Sequence, residues 1–180
     1  MSHHPLRLAP LPAEEWDDRT RSALVSLIPP DRCNPAGAGN VLSTLVRNPA
    51  LTAAYLPFNA YLLTASTLSP HLREVALMRV VHLGDCEYLW DHHVPLAARA
   101  GLTDTDIDAI RQGRCADPND QLVIRAVDEM FAHTTVSQEL WHKLGGFLDD
   151  QQRIDLIFTV GGYLLLAIAV NTLGIQDEGS

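Results

Sequence analysis

Apolar residues recur at helical spacing along nearly the whole chain, and no segment alternates apolar and polar residues between turns. That pattern predicts an all-α protein of about eight helices. Residues 1–12, with Pro5, Pro10 and Pro12, read as an extended arm. A helix is expected from Ala13, led by Glu14 and Glu15, to the stop at Pro29–Pro30, with Trp16, Leu24 and Leu27 inward. Residues 31–40 are loop by composition, and a short helix follows over 41–47. Asn48–Pro49 supplies a cap and a proline at the first helical position, opening a helix to about Thr67 that Pro57 should kink or shorten. Ser69–Pro70 repeats this start. Beyond Gly101, Thr103 should cap a short acidic helix, and residues 112–118 are loop. Further helices are expected over 119–133 and 138–148, the second capped by Ser137, and a long final helix starts at Asp149 or Asp150.

Residues 72–101 interrupt the apolar pattern most. Leu72, Val75, Leu77, Met78, Val80, Val81 and Leu83 make a helix apolar on nearly every side, which a globular protein buries. Threaded into this stretch are Glu74, His82, Cys86, Tyr88, Trp90, His92 and His93. Gly84 breaks the run, and Asp85 stands where an N-cap belongs, so a second helix is expected from Cys86 to Gly101. Cys86, Leu89 and His93 then share one face, and Tyr88 and His92 a neighbouring one. Backbone N–H groups at a helix start favour a thiolate, while Asp85 and Glu87 oppose it, so the sign of any Cys86 shift is open. On one straight helix Glu74 and His93 would lie ~28 Å apart at ~1.5 Å per residue. They meet only if the chain folds back at Gly84–Asp85 or if two subunits pool their helices.

Composition narrows the classes. The chain has 180 residues, 47% hydrophobic and 19% charged, which is globular and ordered. A net charge of −9 excludes nucleic acid and anionic membrane as expected partners. It reads as a single domain, with an N-terminal arm, helix and loop over 1–40 and the main helical domain over 41–180. Cys33, Cys86 and Cys115 have no paired spacing, so a disulfide framework is not expected and a cytoplasmic location fits. The N-terminus lacks the apolar core of a signal peptide. Residues 157–175 approach the length of a membrane span, but Gly161, Gly162 and Asn171 interrupt them and no basic flank follows. A buried or intersubunit helix is the reading, and with Val75–Leu83 also apolar all round, a homo-oligomer is expected.

Glu74, Cys86, Leu89 and His93, with eleven, two and three residues between them, resemble the signature of the carboxymuconolactone decarboxylase / AhpD-like alkylhydroperoxidase superfamily. The surrounding LREVALMRV and CEYLWDHHVPLAARAGLTDTDIDAI are similar to its conserved runs, and the likeness covers roughly residues 40–175. The resemblance implies an AhpD-like multi-helix bundle and dimers, trimers or hexamers. It also implies a small carboxylated lactone or related organic acid as substrate, with Glu74, His93 and Cys86 as catalytic residues. Tyr88, Leu89, Trp90, His92 and His82 are candidates for the pocket wall. The peroxidase branch has a second cysteine, and the decarboxylase-like branch often a glutamate, where this chain has Leu89.

Three functions compete. Acid–base chemistry would use His93 as proton donor and Glu74 as its base or orienting partner. A one-cysteine peroxidase would use Cys86. A non-catalytic binding protein would keep only the scaffold. The bland alternative for Glu74 is a salt bridge to Arg73, Arg79 or Arg99. No cofactor is implied and no metal is expected, because adjacent His92 and His93 point ~100° apart on a helix and no zinc spacing occurs.

Overall fold

A computed structural model describes residues 4–178; the first three residues of the expected arm lie outside them. Among the described residues the regular structure is helical, without strands. The helices are α1 Asp18–Ser22, α2 Pro35–Leu45, α3 Pro49–Thr64, α4 Pro70–Leu83, α5 Glu87–Arg99, α6 Asp104–Arg111, α7 Pro118–His133, α8 Gln138–Leu144 and α9 Asp150–Leu173, with 3₁₀ turns at Ala13–Glu15 and Pro30–Arg32.

Four of these helices start the same way. Asn34–Pro35, Asn48–Pro49, Ser69–Pro70 and Asp117–Pro118 each place a capping side chain before a proline whose missing N–H costs nothing there. The caps accept from Gly37 at 2.9 Å, Leu51 at 3.2 Å, Leu72 at 3.2 Å and Asn119 at 2.8 Å. Helix α6 opens on a full capping box between Thr103 and Asp106.

Several helices also end alike. After α4, Cys86 N–H donates to the Val81 carbonyl and Asp85 N–H to that of His82, both at 3.0 Å. This is a Schellman motif, which needs a left-handed residue in the middle. The same pair of bonds closes α5 at Gly101, α6 at Gly113 and α9 at Gly174. At the end of α4 the left-handed residue is Asp85, with φ of 50°.

Two compact units emerge. The first holds residues up to Ala65 together with those from Ala169 onward. Its core is Leu11, Trp16, Leu24, Cys33, Val46 and Leu56. The arm is extended and pinned: Arg7 N–H donates to Leu173 O at 2.9 Å and Leu11 N–H to Ser43 O at 2.8 Å.

This unit departs most from expectation. The long helix over 13–28 is broken, because Asp17 accepts from Thr20 N–H and restarts the chain as the short α1. Residues 31–40 are largely helical, with a break at Gly39, where φ is 69°. Helix α3 continues through Pro57 but ends at Thr64.

The second unit spans Ser66–Ile168. Its centre is α4, which packs against α5, α6 and α7. Residues 74–81 of α4 are all buried, the two charged side chains Glu74 and Arg79 included. The expected helix over 138–148 stops at Leu144, and Ser137 does not cap it. Instead Ser137 donates its N–H and its hydroxyl to the Glu129 carboxylate, at 2.6 and 3.1 Å.

Candidate active site

The fold-back at Gly84–Cys86 lays α5 against α4 and brings Glu74 to His93. Their contact is His93 Nδ1 to Glu74 Oε2 at 3.0 Å, with Glu74 1% and His93 7% exposed. The Nδ1 proton donates to the carboxylate, which leaves Nε2 as the nitrogen available to a substrate. Nε2 has no hydrogen-bond partner among the described residues. The second carboxylate oxygen accepts from Arg73 Nε and Nη2, each at 3.3 Å. A buried carboxylate thus has a cation on one oxygen and an imidazole on the other, as burial of charge demands. The Tyr163 ring of α9 stands edge-on to the imidazole, with centroids 5.3 Å apart at 88°.

Arg73 is therefore the salt-bridge partner among the three arginines considered. Arg79 serves elsewhere: Nε donates to Asp128 at 2.6 Å, and Nη1 to the carbonyls of Ile110 at 3.0 Å and Arg111 at 2.9 Å. Its guanidinium lies where a Cβ on Gly113 would come within 2.9 Å of Nη2, and Gly113 has φ of 72°.

Cys86 is not the first residue of α5 but its N-cap, because Asp85 completes the end of α4. Its side chain makes no capping bond, and it is 1% exposed. Burial pushes the thiol up to about 11, outweighing the Leu89 N–H aimed at the sulfur, and Glu87 and Asp85 push the same way. The open sign is thus upward. Among the described residues no hydrogen bond joins this sulfur to Glu74 or His93.

The pocket-wall candidates divide. Tyr88, Leu89 and Trp90 are buried and His92 is exposed. His92 stacks on Tyr88 with centroids 4.1 Å apart and donates Nδ1–H to the Tyr88 carbonyl at 2.8 Å. His82 sits edge-on to Trp90 at 5.8 Å, and burial lowers its pKa. Arg111 lies 3.9 Å over the Trp90 ring and clasps Glu87 through two bonds of 3.0 Å. This pair lowers the pKa of Glu87 and raises that of Arg111. Glu74, His82 and His93 form no three-ligand metal group among the described residues.

Sequence reasoning missed Tyr163 and Arg111. Tyr163 had a signal, the single tyrosine in the apolar run of α9. Arg111 had none, because its partners Glu87 and Trp90 are 24 and 21 residues away.

A groove of about 560 Å³ lies among the end of α7, α8 and α9 and includes none of Glu74, Cys86 and His93. The imidazole reaches solvent through the 8% of its side chain that remains exposed.

With this geometry in place, comparison with known proteins is informative. Residues 49–128 match the family described as the carboxymuconolactone decarboxylase family, a stretch that contains Glu74, Cys86 and His93 but not Tyr163. A solved structure from Silicibacter sp. TM1040, an uncharacterized peroxidase-related protein, is similar with a TM-score of 0.77 at 16% identity, over 99% of this chain and 96% of that one. The alkylhydroperoxidase AhpD core of an uncharacterized peroxidase-related protein from Ralstonia eutropha JMP134 gives 0.76 at 16% identity, over 98% and 94%. The fold is AhpD-like. A search of curated protein sequences finds no match.

Proposed function

We propose that this chain, whose residues 49–128 match the carboxymuconolactone decarboxylase family, is an acid–base enzyme acting on a small carboxylated lactone or related organic acid. The observation that carries the reading is the buried contact of His93 Nδ1 with Glu74 Oε2 at 3.0 Å. Glu74 accepts from Nδ1–H and holds the imidazole in one tautomer, so Nε2 is the atom that takes up and releases a proton. Arg73 holds Glu74 in turn. In a decarboxylation the substrate carboxylate leaves as carbon dioxide. Its bonding electrons pass to the neighbouring carbon and its conjugated carbonyl, and His93 Nε2–H delivers a proton to that carbon.

The solved neighbours have peroxidase-related names, which makes thiol chemistry the rival. Cys86 argues against it, being 1% exposed and pushed up to about 11, whereas a peroxidatic cysteine works as an exposed thiolate. Leu89 moreover offers no resolving thiol.

The test is turnover of a panel of lactone acids and β-keto acids by wild type, Glu74→Gln, His93→Ala and Cys86→Ser. Acid–base chemistry requires the first two variants to lose ~10²–10⁴ in kcat/KM and Cys86→Ser to keep most of it. A wild type inactive on the whole panel but turning over alkyl hydroperoxides through Cys86 would reverse the assignment.

A further inference from the structure

Decarboxylation places an electron pair on the substrate's carbonyl oxygen as the carbon–carbon bond breaks. His93 serves the carbon end of that enolate, and Glu74, an anion, can only repel the oxygen end. The oxygen needs a cation, for which Arg73 and Arg79 of α4 and Arg111 of α6 are the candidates. Arg79 is committed to Asp128 and to the Ile110 and Arg111 carbonyls. Arg111 is committed to Glu87 through two bonds of 3.0 Å. Arg73 differs from both. Its Nε and Nη2 each donate to one Glu74 oxygen at 3.3 Å, which uses two of the five N–H groups of a guanidinium. Nη1 has no partner among the described residues.

We propose that Arg73 is a further catalytic residue, whose unspent guanidinium edge donates to the enolate oxygen as carbon dioxide leaves. The role rests on the acid–base reading of the site. The bond between the α-carbon and the carboxyl carbon breaks, and its electron pair becomes the carbon–carbon double bond of the enolate. The carbonyl oxygen takes the negative charge and accepts from Arg73 Nη1–H. The Nε2 proton of His93 then passes to the α-carbon, the carbonyl re-forms, and His93 recovers its proton from solvent.

Three observations favour this role. Glu74 carries Arg73 on one carboxylate oxygen and His93 on the other, so one small planar substrate can meet both donors. The two Arg73 bonds are longer than the ~2.7–2.9 Å of a tight charge-assisted pair, so Glu74 leaves the guanidinium with charge to offer a second anion. The Arg73 side chain is 15% exposed against 1% for Glu74, so an incoming molecule meets the cation and not the carboxylate. The direction of charge flow selects the group that Arg73 holds. The departing carboxylate loses its charge, and an ion pair to it would stabilise the substrate more than the transition state and slow the reaction. The carbonyl oxygen gains charge, and a preplaced donor there accelerates the same step.

The experiment pairs kinetics with the binding of an enolate that does not react. On a substrate that wild type decarboxylates, Arg73→Gln should lose ~10²–10³ in kcat with KM within a few-fold of wild type. A raised KM with kcat kept would make Arg73 an anchor for a substrate carboxylate and overturn the proposal. Calorimetry compares three probes of similar size: tetronate, a lactone enolate that is stable in water; its neutral methyl ether; and 2-furoate, a plain carboxylate. Wild type should bind tetronate at least tenfold more tightly than either of the others, and Arg73→Gln should abolish that preference. Should Arg73→Gln not fold, Arg73→Lys takes its place, because a single ammonium lacks the fork of N–H groups and should lose most of the preference. A wild type without the preference, or a preference that survives both variants, overturns the proposal. A wild type inactive on every acid of the panel but binding tetronate through Arg73 sinks the decarboxylase reading and leaves the enolate site standing.

Discussion

Glu74 and Arg79 lie five residues apart on one buried helix, and α4 treats them differently. Arg79 spends its donors on backbone carbonyls of Ile110 and Arg111 and on Asp128, and its guanidinium rests over the one loop position where Gly113 leaves room. Everything around it is geometry that ties α4 to the end of α6 and to α7. Glu74 has two side-chain partners, Arg73 and His93, and one of them keeps a ring nitrogen with no partner among the described residues. A buried charge whose network is closed holds a structure. A buried charge whose network ends on an unoccupied imidazole nitrogen can pass a proton onward. Burial alone does not separate the two, since both residues are under a tenth exposed.

The sharpest break of this comparison is a paired substitution. His93→Ala should cost ~10²–10⁴ in kcat/KM and leave the unfolding midpoint close to wild type. Arg79→Met should do the reverse. It strands two buried carbonyls and loosens Asp128, a cost of about 2–4 kcal/mol. That is a drop of roughly 4–16 °C in Tm for a chain of this size, with the activity of the folded fraction kept within a few-fold. If Arg79→Met abolished turnover in protein that remains folded, the division between the two charges would be lost.

Cys86 sharpens the same contrast, because it is buried without an ionic partner. With its thiol at about 11 against an ordinary 9.0, it stays protonated at neutral pH. Its alkylation rate, followed by mass spectrometry, should climb between pH 9 and 11 and be small at pH 8. The linkage has a definite sign. The folded state holds this proton more tightly than the unfolded chain, so the associated stability is present below pH 9 and fades as pH rises toward about 11. Rapid modification of Cys86 at pH 7 would return the thiol reading to contention.

The smallest effect expected is at Asp85. It occupies the left-handed position that glycine fills at 101, 113 and 174. Asp85→Gly should raise stability by about 0.5–1 kcal/mol in denaturant unfolding. A loss instead would mean that the carboxylate contributes more than the backbone relief.

Much of the second unit was legible in the sequence. Ser69–Pro70 and Thr103 marked helix starts that the structure keeps, and an all-apolar pattern with one carboxylate marked α4 as buried. Asp85 was misread because Asp is a common N-cap and a tolerable left-handed residue, and only the backbone bonds of Val81 and His82 distinguish the two uses. The N-terminal region was read worst. Asn34–Pro35 carries the same signal as Asn48–Pro49, yet the glycines and alanines after it resemble loop. The long helix expected from Ala13 fails because Asp17 restarts the chain and the Trp16 indole donates to Leu11 O at 3.1 Å, neither of which periodicity records. In the candidate site, Glu74 and His93 were found by spacing, whereas Tyr163 comes from seventy residues beyond His93, where no local pattern could connect them.

The first unit joins residues up to Ala65 with those from Ala169, and the second is one continuous stretch of chain. Order of synthesis therefore runs against order of completion. Glu74 and His93 leave the ribosome nineteen residues apart, so their unit can start to close while the chain is still growing. The N-terminal segment, although made first, must wait for Leu173 to receive Arg7 N–H and for Gln176 to receive the Asn40 side chain. At ~5–20 residues per second, that wait is on the order of ten seconds. During it Arg7 N–H and the Asn40 side chain lack these partners, and this interval is when a holding chaperone has most to do.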